Sequence, residues 1–486
     1  MSQLPQGWVE KTFDEIGEYT DYVANGSFAS LKENVTQTDE EDYAILLRLK
    51  DHSNGFKGPF KYVTKASYEF LKKSDLQAGD LFLANVGAPG RTFLVPELGK
   101  PMTIAPNGIR VRANELTSNK FIEYFIRSRQ GQDLILSITG GNAQQKFNKT
   151  ALKKSSFPLP PLDDQKRIAD KLDSVLAKVE AAQARLDKIP TLLKRFRQSV
   201  LAAATSGELT RDWREENESI QSAFEAYELK RLSDRKKWEE IKLSEFREKN
   251  KFPSNDKWKA KYKEVALPNQ EELQPLNSGW GYFYVENVAS SAKYSMSSGP
   301  FGSALGRKDY TEAGVPVLRG QNVKNGVAGV GGFVFVSEEK ATSIPRSLAY
   351  PGDVVVVAVG SSGVTGIIPQ NISVALLSQN CNKISVDNVL VRSEYFNLFL
   401  QSQVAQSQIS AQTTDTVRQF FSLTNLKKTV IAVPPLQEQN EILLRVEELF
   451  EHANTVEKQY NAAKARLDKL IQSILAKAFR GELVTS

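Results

Sequence analysis

Apolar residues recur at alternating steps of four and three in two stretches of this 486-residue chain. In the first they are Ile168, Leu172, Val175, Val179, Ala182, Leu186, Ile189, Leu193, Phe196 and Val200; in the second, Ile442, Val446, Leu449, Ala453, Val456, Tyr460, Ala463, Leu467, Leu470 and Ile474. A stripe of that period, sustained over more than four heptads, predicts a long helix whose seam must be buried against a partner helix. Each stretch opens just after a Pro-Pro pair, Pro160-Pro161 or Pro434-Pro435, and closes at a glycine, Gly207 or Gly481. Proline suits the first helical turn and glycine the left-handed terminator. Leu162 to Val200 is 39 residues, a rod of roughly 58 Å at 1.5 Å per residue. Pro190 lacks an amide hydrogen and predicts a local bend in it.

The two stretches are copies of one unit. Segment 160–209 begins PPLDDQKRI and ends QSVLAAATSGEL, and segment 434–483 begins PPLQEQNEI and ends QSILAKAFRGEL. Leu162 and Leu436 stand 274 positions apart, as do Gly207 and Gly481, so the copies align without a gap. Each helix therefore finds its natural partner in the other. The regions before them also correspond. Leu4-Pro5-Gln6-Gly7-Trp8 parallels Leu276-Asn277-Ser278-Gly279-Trp280, and Asn25-Gly26-Ser27-Phe28 resembles Ser298-Gly299-Pro300-Phe301. Ala78-Gly79-Asp80 matches Pro351-Gly352-Asp353, and Phe147 with Leu152-Lys153-Lys154 matches Phe421 with Leu426-Lys427-Lys428. Short β-branched and aromatic runs cut by Gly, Asn and Pro mark both regions as largely β. The expected fold class is α+β: two mixed, largely β globules separated by two long helices that pair as an antiparallel coiled coil. The boundaries are a first globule at 1–158, helix one at 159–210, a charged connector at 211–275, a second globule at 276–432 and helix two at 433–486.

Composition narrows the function classes. Apolar residues at 41% and charged residues at 25% are ordinary for a globular protein. The 63 Lys and Arg against 57 Asp and Glu give a net charge of +6 and a pI near 9.0, compatible with a polyanionic partner. In the connector, KNKFPSNDKWKAKYK at 249–263 carries six lysines against one aspartate, with Phe252, Trp258 and Tyr262 interleaved, so a phosphate-facing role is weighed there against a plain solvated helix. One cysteine, Cys381, and two histidines, His52 and His452, exclude a disulfide framework and a zinc site built from Cys and His. A cytoplasmic setting follows, since the N-terminus lacks an export signal and no apolar run approaches the roughly 20 residues that span a bilayer.

No catalytic constellation can be assembled. Two unrelated histidines leave little for general-base work, and Cys381 reads as a buried structural thiol. GVAGVGG (326–332) and VGSSGVTG (359–366) lack the Lys-Ser/Thr of a phosphate loop and read as hairpin turns. Both Pro-Pro pairs are followed by leucine and preceded by Leu159 or Val433, so the Asn/Asp-Pro-Pro-aromatic signature of an amino-methyltransferase is missing. Two similar but diverged globules on a rod can touch two places on one long ligand. B-DNA presents its major groove to one face again after about 34–36 Å, so the expected target is bipartite and asymmetric.

The tandem PLPPLDDQKRIADKL…LKRFRQSVLAAATSGELT and VPPLQEQNEILLRVEELF…QSILAKAFRGELV, with the LP-x-GW start, resemble the conserved regions of type I restriction-modification specificity subunits, HsdS. The resemblance covers essentially the whole chain. It implies that 1–158 and 276–432 are target recognition domains and that the helices bind two copies of the methyltransferase subunit HsdM. It also implies that the complex recruits the restriction subunit HsdR. S-adenosylmethionine, ATP and Mg would belong to those partners, with no cofactor in this chain. The stop three residues after Leu483 departs from the first repeat, which runs on into Arg211-Asp212-Trp213.

Arg and Lys on guanine, Asn and Gln on adenine, and scattered cations on phosphates are the usual DNA readers. On that chemistry the candidates in the first globule are Arg48, Lys50, Asp51, Asn85, Arg91, Gln144, Gln145 and Lys146. In the second they are Arg307, Lys308, Arg319, Gln321, Asn322, Ser361, Ser362, Thr413 and Arg418. Gln165, Gln439, Gln198 and Gln472 recur at matched positions outside the apolar seam and are the candidates for partner binding. The competing classes are a coiled-coil protein-interaction scaffold, whose binding would ignore salt, and a self-contained DNA enzyme, which would methylate unaided.

Overall fold

The structure is a computed structural model that describes residues 4–141, 144–217, 220–253, 255–413 and 420–483. It divides into two compact units, 1–189 with 459–486, and 190–458. Four long helices are labelled α1 (Leu162–Leu186), α2 (Ile189–Ser206), α3 (Ala223–Glu248) and α4 (Leu436–Phe479).

In the first unit the chain starts as a strand, Val9–Thr12, paired antiparallel with Ser156–Leu159, so the two ends of the globule are clasped just before α1. Between them a four-stranded antiparallel sheet has the order Gly17–Asp21, Gly108–Ala113, Leu81–Ala84, Thr92–Leu94. A five-stranded mixed sheet holds the parallel pair Ala44–Leu47 and Met102–Ile104. All four residues of Leu81–Ala84 and of Ala44–Leu47 are buried, as expected of continuous apolar runs covered on both faces.

The second unit repeats the plan. Gly281–Tyr284 pairs with Val430–Val433 to clasp the globule before α4. A six-stranded sheet centres on the wholly buried Val354–Val357, and a five-stranded sheet holds the parallel pair Val315–Leu318 and Ala375–Leu377. Each globule also repeats one turn. Gly79 (φ +88°) and Gly352 (φ +87°) occupy the left-handed position, where a side chain is strained. The aspartate that follows each is buried and paired. Asp80 accepts from Arg112 at 2.7 and 2.8 Å, and Asp353 from the buried Lys383 at 3.0 Å.

The helices depart from the expected rod in two ways. Helix one is not bent at Pro190 but broken, with α1 ending at Leu186 and α2 starting at Ile189. The proline ring excludes the carbonyl four residues earlier, which belongs to Leu186. Nor is the heptad seam evenly buried. Phe196, Val456 and Leu470 are at least 40% exposed. Burial is deep where a globule adds a third layer to the helix pair. In the first unit Ile168, Leu172, Leu176 and Val179 share a core with Ile474, Leu475, Ala478 and Phe479. In the second, Val200 and Ala204 share one with Ile442 and Val446. Arg197 bonds Glu457 at 2.8 Å while Arg445 bonds Asp212 at 2.7 Å and the Leu209 carbonyl, so the pairing there is antiparallel.

Each terminal glycine serves the other repeat's globule. A Cβ on Gly207 would collide with Asn277 and Trp280, and one on Gly481 with Pro5. Asn277 donates to the Ser206 carbonyl at 2.7 Å. The Trp280 indole donates to the buried Glu438 at 2.8 Å, which also accepts from Thr210 and Arg214.

The connector is a short helix, Arg211–Glu216, then α3, then a segment with 3-10 helices at Asp256–Lys261 and Gln270–Glu272 that folds back on α3. Trp258, 9% exposed, stacks on Trp238 with centroids 5.8 Å apart, and Tyr262 packs on the same ring. Two of the three aromatics considered for a phosphate-facing role are thus spent on packing, and Lys259 faces Glu239 and Asp256. No helix among the described residues is long and apolar enough to cross a membrane.

Candidate functional site

The hairpin Leu81–Ala84 and Thr92–Leu94 carries a loop whose backbone is tied down on three sides. Asn85 N–H donates to the Asn107 carbonyl at 3.1 Å, its own carbonyl accepts from Phe147, and Gly87 N–H donates to the Gln145 carbonyl at 3.1 Å. Gly140 and Lys146 exchange backbone hydrogen bonds at 2.9 and 3.0 Å. The effect is a two-loop platform from which Arg91, Gln144, Gln145 and Lys146 are presented to solvent. Asn85 is built into it, donating to the Phe147 carbonyl at 3.3 Å.

The second globule repeats the anchoring of the first of these loops 273 or 274 positions on. Ala358 N–H donates to the Asn380 carbonyl at 2.7 Å and Phe421 N–H to the Ala358 carbonyl at 2.9 Å. A glycine in each loop lets a helix approach: Gly90 (φ +84°) lies under Gln132 and Ile135, and Gly363 (φ +87°) under Gln406 and Ile409. Gln132 donates to the Gly90 carbonyl and Gln406 to that of Gly363. The anchoring of this loop is held in common while its outward side chains differ. Ser361 is exposed here, Ser362 is half-buried against the Ala358 carbonyl, and Thr413 bonds the Ile409 carbonyl. Arg418 lies outside the described residues.

Of the remaining candidates, all but Arg307 and Lys308, which sit in the 3-10 helix Arg307–Asp309, fall at a second repeated place. Arg48 and Arg319 follow the equivalent strands Ala44–Leu47 and Val315–Leu318. Asp51, 3% exposed, accepts from the Arg48 amide at 2.8 Å and from its guanidinium at 2.6 and 3.1 Å. Asp51 is therefore a cap and counter-ion, not a reader of bases, because its acceptors are spent. Asn322, 1% exposed, likewise caps Arg319 N–H at 3.1 Å and donates to the Val330 and Gly332 carbonyls, so it too is structural. Lys50, Arg307, Lys308 and Gln321 are exposed.

Of the partner-binding candidates, two are misplaced. Gln165 and Gln439 are 2% and 0% exposed. Gln165 accepts from Thr117 and donates to the Leu116 and Pro160 carbonyls. Gln439 accepts from Arg392 N–H and donates to the Leu390 and Pro434 carbonyls. Each glutamine stitches a globule to the proline-led start of its helix, where carbonyls would otherwise be buried unpaired. Gln198 and Gln472 are exposed.

Two residues escaped the sequence reading. Phe28 is 80% exposed and Phe301 is 66% exposed, and they stand at matched positions of the two globules. The parallel NGSF and SGPF segments carried the signal.

No groups of three or more metal-ligating side chains occur among the described residues. His52 lies flat on Phe93 at 4.8 Å. Burial, and then the charges of Arg91 and Arg127, hold it below the usual histidine range. Cys381 is buried and its thiol is pushed up to about 12 by that burial.

The family model described as type I restriction modification DNA specificity domain matches residues 5–191 and again 303–463. The chain belongs to the type I specificity subunits. It is 29% identical over 501 residues to the type I restriction enzyme EcoKI specificity subunit of Escherichia coli strain K12, covering 99% of this chain and 90% of that protein. It is 32% identical over 337 residues to the EcoBI specificity subunit of Escherichia coli, covering 69% of this chain and 60% of that one. A chain solved in work on complex assembly and conformational transition of the type I R-M system shares its fold over 99% of this chain and 100% of that one, at TM-score 0.61 and 17% identity. So does the HsdS subunit from Thermoanaerobacter tengcongensis, over 99% and 98%, at TM-score 0.51 and 17% identity. As a specificity subunit this chain is the DNA-specificity, non-catalytic component of a restriction-modification assembly.

Proposed function

We propose that the two globules each read one half of an asymmetric bipartite DNA target. The helices hold two copies of HsdM, and HsdR joins that complex. S-adenosylmethionine, ATP and Mg act in those partners, and this chain contributes no cofactor site. The observation that carries the reading is the repeated loop after Leu81–Ala84 and Val354–Val357, anchored by the same backbone bonds while its outward side chains differ. That is the design expected when one scaffold serves two different sequences. Arg91, Gln144, Gln145 and Lys146 are the contacts proposed in the first domain, and Arg319, Gln321 and Ser361 in the second. Exposed Lys50, Arg307 and Lys308 take phosphates. HsdM binds the outward helix faces that carry Gln198 and Gln472, without Gln165 and Gln439. The assembly works in the cytoplasm.

Titration of the full chain with duplex DNA at a series of salt concentrations tests this. Phosphate contacts make log affinity fall linearly with log salt, by about 0.9 per contact. An affinity indifferent to salt would instead favour a protein-interaction scaffold.

A further inference from the structure

The two recognition domains treat one equivalent arginine differently. Arg48 is neutralised by Asp51, with guanidinium contacts of 2.6 and 3.1 Å, and also donates to the Pro59 carbonyl. Arg319 has Asn322 in the place of that aspartate. Its backbone is capped in the same way, but among the described residues its guanidinium finds only the Gly332 carbonyl at 3.4 Å. Its Nε is enclosed with no acceptor among the described residues. The charge is therefore positioned, with no carboxylate paired to it among the described residues.

It stands on the wall of a cavity of about 430 Å³ that is also lined by Tyr310, Gln321, Ser361, Gln379 and Asn380. Among the described residues no carboxylate lines this cavity. Its wall includes Pro300, next to the exposed Phe301. It joins the platform loop at Ser361 to the strand end at Arg319, and the exposed cations Arg307 and Lys308 lie between two of its lining residues, Leu305 and Tyr310.

We propose that this cavity receives the edge of a guanine from the half-site read by the second domain, Arg319 donating to O6 and N7. The inference rests on the DNA-reading function proposed above. A guanidinium fork matches that edge, whereas phosphates are met as readily by a flexible lysine. The recessed, amide-lined wall suits a flat group with several acceptors, and the exposed Arg307 and Lys308 suit the backbone beside it. The first domain makes no equivalent reading through Arg48, because Asp51 already occupies that fork.

The test is selection by the full-length chain, with its co-expressed methyltransferase subunit, from duplex DNA carrying a randomised central segment. Bound duplexes are sequenced and affinities are measured across a salt series. The wild type should enrich a bipartite motif that includes a G·C pair. Arg319→Lys, which keeps the charge, and Arg319→Ala should lower the preference at that one base pair roughly 10- to 100-fold and leave the other half-site unchanged. Thermal unfolding of Arg319→Lys at the wild-type temperature verifies the fold. If the variants keep the full motif and bind all sequences uniformly more weakly, with Arg319→Ala reducing the salt slope by about 1, Arg319 holds a phosphate and the proposal is overturned. A wild-type chain that enriches no motif overturns the DNA-reading function itself, and this inference with it.

Discussion

Gln439 is the sharpest place to separate a structural glutamine from a partner-binding one. Gln439→Ala removes one acceptor and two donors at once. The Arg392 N–H, at 2.8 Å, and the Leu390 and Pro434 carbonyls, at 3.0 and 2.8 Å, lose their partner. The site is fully buried, so water does not replace it freely. At a net worth of about 1 kcal/mol per hydrogen bond, and more where a buried group is left unpaired, the loss is about 3 kcal/mol or somewhat above. For a folding unit of this size that lowers Tm by roughly 6–12 °C. Calorimetry of the purified chain measures it directly. Co-purification of HsdM with Gln439→Ala, below its unfolding temperature, should match the wild type. The contrasting variant is Gln198→Ala with Gln472→Ala, both exposed. It should leave Tm within about 1 °C and reduce HsdM recovery. A Gln439→Ala chain that melts with the wild type but fails to hold HsdM would refute the stitching role.

Asp353→Ala leaves the ammonium of Lys383 buried without its carboxylate and should cost about 3–5 kcal/mol, read as an earlier unfolding transition; an unchanged transition would remove that pair from the account. Cys381 should resist alkylation at neutral pH in the native chain and react on denaturation, because burial holds the thiol protonated up to about 12. Fast native labelling would contradict that burial. Trp258→Ala should loosen the segment packed on α3, seen as faster amide exchange around Trp238 and Tyr262, without changing the salt slope of DNA binding. A shallower slope would restore the phosphate-facing role of that segment.

The helical repeat was legible because a heptad stripe is a local, periodic signal, and Pro160-Pro161 with Gly207 marked its limits. What packs on each helix end was not. Gly207 meets the Trp280 segment and Gly481 meets Pro5, a crossing of repeats that depends on helix direction in space. The break at Asp187-Lys188 shows the proline acting one turn before itself, so position 190 predicted the effect but not its place. Gln165 and Gln439 looked like surface residues since they fall outside the seam. They are buried by the globule, a third layer that a helix-pair periodicity cannot register. Asp51 and Asn322 had the right chemistry for base readers and are consumed as caps, because a loop's own backbone donors compete for the same side-chain oxygens. The exposed pair Phe28 and Phe301 was visible as an alignment, yet exposure itself is a tertiary property.

The central claim, two separate readers on one chain, is tested most directly by mapping adenine methylation in cells that carry this chain with its methyltransferase subunit. The map is compared with one from cells in which residues 1–158 are exchanged for the recognition domain of a relative. The account predicts one bipartite motif of which a single half changes on exchange. Methylation that is unchanged, or that follows no bipartite motif, would contradict it.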